Sequence, residues 1–173
     1  MEETVDVVDR DDAKIGTATR REVHKSGAWH RGIHVLVFNP RGKLLLQRRS
    51  AKKDKSPRAL DLSVSEHAKE GESFEEAAAR GLREELGIEA APLSRVLKFR
   101  MAYGPGDNMV SVLYRSEFGG TPRPDAYEVE GLVAVGAARL RSLVEGRGEE
   151  LAPWARELLR WYLRLPSAVE EIE

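Results

Sequence analysis

The sequence predicts an α/β fold, a mixed sheet covered on both faces by helices. Three observations lead there. Short β-rich segments recur along the chain, helical periodicity marks three longer segments, and Gly, Pro, Asn and Asp punctuate the boundaries. With 173 residues, 41% of them hydrophobic, one domain with a full core is expected.

In chain order, TVDVVDR (Thr4 to Arg10) alternates, and Asp11-Asp12 offers a turn before KIGTATR, so the N-terminus reads as a hairpin. Arg21 to Gly27 is a short helical turn or a loop. IHVLVF from Ile33 is a strand, Asn39-Pro40-Arg41-Gly42 a turn, and KLLLQRR its expected antiparallel partner. Residues 50–60 form a basic loop closed by Pro57, and LDLSVSEH alternates as one strand. SRVLKFRMAY and MVSVLYRSEF are strands joined by the Gly104-Pro105-Gly106-Asp107 turn. Gly119 to Pro124 is a linker, and EVEGLVAVG the last strand. AARLRSLVEG and PWARELLRWYLRL are helices, the second opened by Pro153. The tail from Ser167 is expected to fray.

The most informative stretch is GESFEEAAARGLREELGI, residues 71–88. Ser73 and Glu76 have capping-box spacing, Phe74, Ala78, Leu82 and Leu86 form an apolar face, and Gly87 supplies a left-handed stop. At roughly 100° per residue, Glu85 falls just inside the apolar arc and Glu84 to one side of it. Arg80 can pair with Glu84 as an i,i+4 partner. Glu85 has no such local partner, and a carboxylate on a core-facing arc is costly unless paired, protonated or bound to a cation. A hard divalent cation answers that need. An ordinary amphipathic helix with a charged border is the plainer alternative.

Composition excludes several classes. Charged residues make up 33% of the chain, but the net charge is −1, which gives no support for bulk electrostatic binding of nucleic acid or an anionic membrane. Without cysteine there are neither disulfides nor thiolate metal sites. No apolar run approaches the ~20 residues a membrane span needs, so a cytoplasmic protein is expected.

Residues 66–88 resemble the signature of the Nudix hydrolase family. Glu72, Arg80, Leu82, Glu84, Glu85, Gly87 and Ile88 fall on its fixed positions, while Glu66 stands in place of the opening glycine and Gly81 in place of a glutamate. The resemblance implies a Nudix-type α/β/α sandwich over residues 31–166, preceded by the hairpin and lead-in (1–30) and followed by the tail (167–173). It also implies a Mg²⁺-dependent pyrophosphohydrolase, with Mn²⁺ as the alternative ion, acting on a small-molecule diphosphate. Glu84 and Glu85 would hold the cation, assisted by the carbonyl of Ser65 or Glu66. With Gly81 lacking a carboxylate, Glu66 is the candidate to supply it from the facing loop. The competing reading is close packing at Gly81 in a domain of reduced activity that binds a phosphorylated ligand.

The order of segments, from the hairpin through VHKSGAWHRGIHVLVFN, LLLQRRS and LDLSVSEH, is similar to the isopentenyl diphosphate isomerase-like branch of the family. In that branch three histidines and two glutamates hold a metal, while a cysteine and a glutamate move protons. His24, His30 and His67 fall near the histidine positions, Ser65 stands at the cysteine, Asp107 can replace one glutamate, and Met109 stands where the other belongs. Shuttling a proton at an allylic carbon needs an acid and a base on opposite faces, which serine and methionine do not supply. Isomerase activity is therefore disfavoured. His24 is expected as a loop residue and His30 as a strand start, with His67 a candidate second-site ligand.

Phosphate recognition is expected from Arg49, Arg48 and Lys53, in a basic stretch that also contains Lys52, Lys55 and Arg58. Glu128 or Glu130 offers a further carboxylate, and Tyr103, Tyr114 and Tyr127 are candidates for stacking or core packing. Trp154, Trp161 and Tyr162 leave open a homodimer interface or a helix laid on the sheet.

Overall fold

The computed structural model describes residues 2–173. The N-terminal hairpin pairs β1 (Thr4–Val8) with β2 (Lys14–Thr19). It leads into α1 (Arg20–Ser26), so the segment expected as a short helical turn or a loop is the helical one. Thr19 and Glu22 form a capping box at its start, and Gly27 closes it at φ 73°.

The central strand β3 (His30–Phe38) pairs in parallel with β8 (Asp107–Glu117) along its whole length and antiparallel with β6 (Val64–His67). Its expected partner β4 (Leu44–Arg49) meets it only at Phe38↔Leu44. Beyond that point β4 pairs instead with β5 (Leu60–Asp61) and β9 (Val129–Val135). LDLSVSEH is accordingly two strands. Leu62 N–H turns onto Asp61 Oδ1, and Ser63 Oγ accepts from Val37 N while donating to Leu45 O, so the chain crosses from the β4 arm to the β3 arm.

β7 (Ser94–Gly104) forms a long hairpin with β8, and its outer edge receives β10 (Glu170–Glu171). The tail thus docks where fraying was expected. Arg100 Nε of β7 donates to Glu170 at 2.7 Å and Trp161 Nε1, from the C-terminal helix, to Glu171 at 2.7 Å, which gives both glutamates partners.

Alternation along β3 divides the core in two. Ile33, Val35 and Val37 pack with Ala77, Leu82 and Leu86 of α2 (Phe74–Leu86) on one face. Leu36 on the other face joins the cluster that contains Leu140 of α3 (Ala137–Val144) and Leu158 of α4 (Pro153–Tyr162). The result is the predicted helix–sheet–helix sandwich. Trp161 and Tyr162 pack against this second core and so cover the sheet.

Candidate functional site

Both arms of the sheet contribute to one cavity of about 550 Å³, lined by Arg49 from β4 and by Ser65, Glu66 and His67 from β6. Glu84 and Glu85 reach it from α2, Trp154 from α4, and Tyr103, Asp107 and Met109 from the β7–β8 hairpin.

Helix α2 is built as its sequence indicates: Ser73 and Glu76 cap each other's backbone groups, and Gly87 ends the helix at φ 63°. Arg80 is the charge hub of the site. Its Nε and Nη2 donate to the two oxygens of Glu72 at 2.8 and 2.9 Å, and Nη2 also donates to the His67 carbonyl at 2.8 Å. Its Nη1 donates to Glu84 at 3.3 Å and lies 3.6 Å from Glu66. Glu85 is buried and accepts a hydrogen bond from Gln47 Nε2, which also donates to the Ser63 carbonyl. Burial raises the Glu85 carboxyl well above the usual range, reinforced by the negative charge of Glu66. Glu66 is itself raised by burial, against the opposing pull of Arg80. A Cβ on Gly81 would lie 3.7 Å from Glu66 Cβ, so Glu66 faces the position where the helix lacks a carboxylate.

A second cluster stands at the same end of the sheet. His24 comes from α1, His30 opens β3, His67 ends β6 and Asp107 opens β8, with ligand atoms all within 4.8 Å of one another. The expectation of a loop position for His24 is corrected here. Capped helix α1 carries it, and Asn108 Nδ2 donates to Gly27 O at 2.8 Å, tying the end of that helix to β8. The His30 and His67 rings stack at 5.2 Å with 7° between planes, and His24 meets both edge-on.

His30 Nδ1 lies 3.0 Å from Ala28 O, so that nitrogen carries the proton and Nε2 presents its lone pair. Among the described residues, His24 Nε2, His30 Nε2, His67 Nε2 and Asp107 Oδ1 are all buried without a hydrogen-bond partner. Burial lowers all three histidines, His67 most strongly, so they are held as neutral donors. Three imidazole nitrogens and one carboxylate oxygen converging in this way fit a divalent cation. Asp107 Oδ2 is held by Lys55 Nζ at 2.7 Å.

Below these clusters runs a polar chain that was not evident in the sequence. Ser65 Oγ donates to Asp61 Oδ1 at 3.0 Å and lies 2.9 Å from His34 Nδ1, whose Nε2 is 2.7 Å from Tyr103 OH. Because the serine O–H is directed at Asp61, His34 Nδ1–H donates to Ser65 Oγ and Tyr103 O–H donates to His34 Nε2. Burial pushes His34 down to about 3, leaving it neutral. Period-two spacing places His30 and His34 on one face of β3, but only the pairing of β3 with β6 reveals Ser65 as the partner of His34.

The basic candidates separate. Arg49 lines the cavity, donates to Asp61 at 2.9 Å and lies 5.0 Å above the Trp154 ring. Lys53 lines it too and pairs with Glu128. Arg48 does not line the cavity; alternation along β4 turns it toward Glu149, with which it pairs. Glu130 accepts from Ala51 N outside the cavity, and exposed Tyr127 lies under Lys52.

A mixed sheet between helices, with a glutamate-bearing helix at one end and a cluster of three histidines and an aspartate beside it, defines the class as an α/β sandwich with a polar cavity at one end of the sheet. The NUDIX domain family matches residues 28–162, and the chain belongs to that family. Isopentenyl-diphosphate Delta-isomerase 2 of Photorhabdus laumondii is 31% identical over 163 residues, covering 92% of each chain. An uncharacterized Nudix hydrolase of Clostridium acetobutylicum is 43% identical over 94 residues, a match that takes in 45% of that protein's length. Among solved structures, DR0079 of Deinococcus radiodurans superposes with a TM-score of 0.79 at 26% identity, covering 92% of this chain and 98% of that one.

Proposed function

We propose that the chain is a divalent-metal-dependent Nudix pyrophosphohydrolase that cleaves a diphosphate linkage in a nucleoside diphosphate derivative or a related organic diphosphate. The observation that carries this reading is the single cavity in which Glu66, Glu84 and Glu85 face Arg49, Lys53 and the histidine cluster. Glu66, Glu84 and Glu85 would hold Mg²⁺ or Mn²⁺, with the Ser65 carbonyl as an additional ligand. His24, His30, His67 and Asp107 would hold a second cation. Such ions would neutralise phosphoryl oxygens and would lower the pKa of water. Arg80 keeps Glu84 and Glu66 oriented, and Gln47 fixes the rotamer of Glu85. Arg49 and Lys53 orient the phosphates, and Arg49 is braced for this by Asp61 and Trp154.

The isomerase names of several relatives invite a second reading, and residues in the cavity argue against it. Ser65 Oγ is committed to Asp61 and His34. Met109, which lies against Gly32, brings no carboxylate to the opposite side. The test is phosphate or pyrophosphate release from a panel of organic diphosphates with Mg²⁺ and Mn²⁺, beside a Glu84→Gln/Glu85→Gln double variant. Turnover lost in the variant supports the hydrolase. Thermal stabilisation by ligand without turnover supports a binding module, and a rearranged isoprenoid product would reinstate the isomerase.

A further inference from the structure

We propose that Lys55 is a transferable phosphate contact, paired with Asp107 while the histidine cluster holds no cation and handed over to a substrate phosphate once a divalent cation takes Asp107. This rests on the reading of His24, His30, His67 and Asp107 as a cation site. The Lys55 ammonium lies 2.7 Å from Asp107 Oδ2, while Oδ1 of the same carboxylate faces His24 Nε2 at 3.3 Å and His30 Nε2 at 3.7 Å. The two oxygens therefore serve two cationic positions, one filled by the chain itself and one open to a metal.

The carboxylate is nearly buried, its side chain 8% exposed, whereas the lysine is 50% exposed and lines the cavity. One negative charge balances the ammonium. A dication on Oδ1 over-balances it and repels the lysine, whose four methylenes let it swing toward anionic oxygens in the same cavity. Lys53 of the same loop likewise pairs with a carboxylate, that of Glu128. Arg49 lacks this freedom, since Asp61, Trp154 and the Lys55 carbonyl fix it from three sides.

The proposal gives Lys55→Met two effects of opposite sign. Co²⁺ titration against a chromophoric chelator should show the variant binding the ion about three- to tenfold tighter than wild type, because a repelling charge is gone. Calorimetry with inorganic pyrophosphate at fixed Co²⁺ excess should show about tenfold weaker binding, because a phosphate contact is gone. Lys55→Gln should behave in the same way. Weaker Co²⁺ binding in both variants would make Lys55 a mere anchor of Asp107 and overturn the proposal, as would unchanged pyrophosphate affinity. A wild-type protein that binds no Co²⁺ would remove the metal reading itself, an outcome distinct from a wrong-signed ratio between variants.

Discussion

Gly81 and Val64 touch across the α2–β6 contact so closely that a Cβ at position 81 would fall 2.6 Å from Val64 Cγ1. Val64 is fully buried and β-branched, so it has little freedom to turn aside. Gly81→Ala should therefore destabilise the protein by about 1–2 kcal/mol, overpacking outweighing the ~1 kcal/mol gained in helix propensity. In a Val64→Ala background the same change should be neutral or stabilising. Urea denaturation of the four proteins measures both, and a Gly81→Ala protein as stable as wild type would contradict the contact.

A Cβ at Gly81 would fall 3.7 Å from Glu66 Cβ, and on the proposed reading the Glu66 carboxylate stands in for the one the helix lacks. Glu66→Gln keeps the shape and removes the charge. Turnover of a diphosphate substrate should fall about 10²–10³-fold, the usual cost of losing one transition-state charge partner, while the melting temperature moves little. Full activity in the variant would end the case for a relocated carboxylate.

The four orphaned groups of the histidine cluster predict cation binding independent of turnover. Zn²⁺ or Co²⁺ at about one hundred times its Kd should add roughly 2.7 kcal/mol of stability, read as a rise in melting temperature. His67→Asn should abolish the rise. An equal response from wild type and variant would place the ion elsewhere.

Acid should weaken the fold through His34. Its folded pKa, about 3, lies below the unfolded value of 6.5, so the unfolded chain takes up a proton that the native one refuses. The His34 contribution falls by about 1.4 kcal/mol for each pH unit below 6.5 and levels off near 3. Between pH 5 and 7, His34→Gln should show a shallower dependence of unfolding free energy on pH, whatever its absolute stability. Parallel slopes would show that His34 does not remain neutral in the fold.

Much of the fold was written locally. The α2 caps, the N-terminal hairpin and the Pro153 helix start each need only neighbouring residues, and the structure has all three. What the chain did not disclose depends on register between distant strands. KLLLQRR reads as a partner for IHVLVF because a turn joins them, yet the two pair only at Phe38↔Leu44, and beyond it β3 bonds β6 and β8 while β4 bonds β5 and β9. The candidate site shows the same division. The Arg80–Glu84 pair follows from helical spacing, whereas Gln47 beneath Glu85 and Tyr103 beside His34 become neighbours only in three dimensions. The side of β4 from which Arg48 projects was equally hidden until the strand's partners were known.

The family match begins at residue 28, whereas His24 and Arg20, both lining the cavity, lie upstream on α1. A fragment trimmed to the recognisable family segment would retain the glutamate helix and look whole by sequence, yet present a three-sided cage to any ion. Negative assays on such a fragment would report the position of the cut, not the chemistry of the protein.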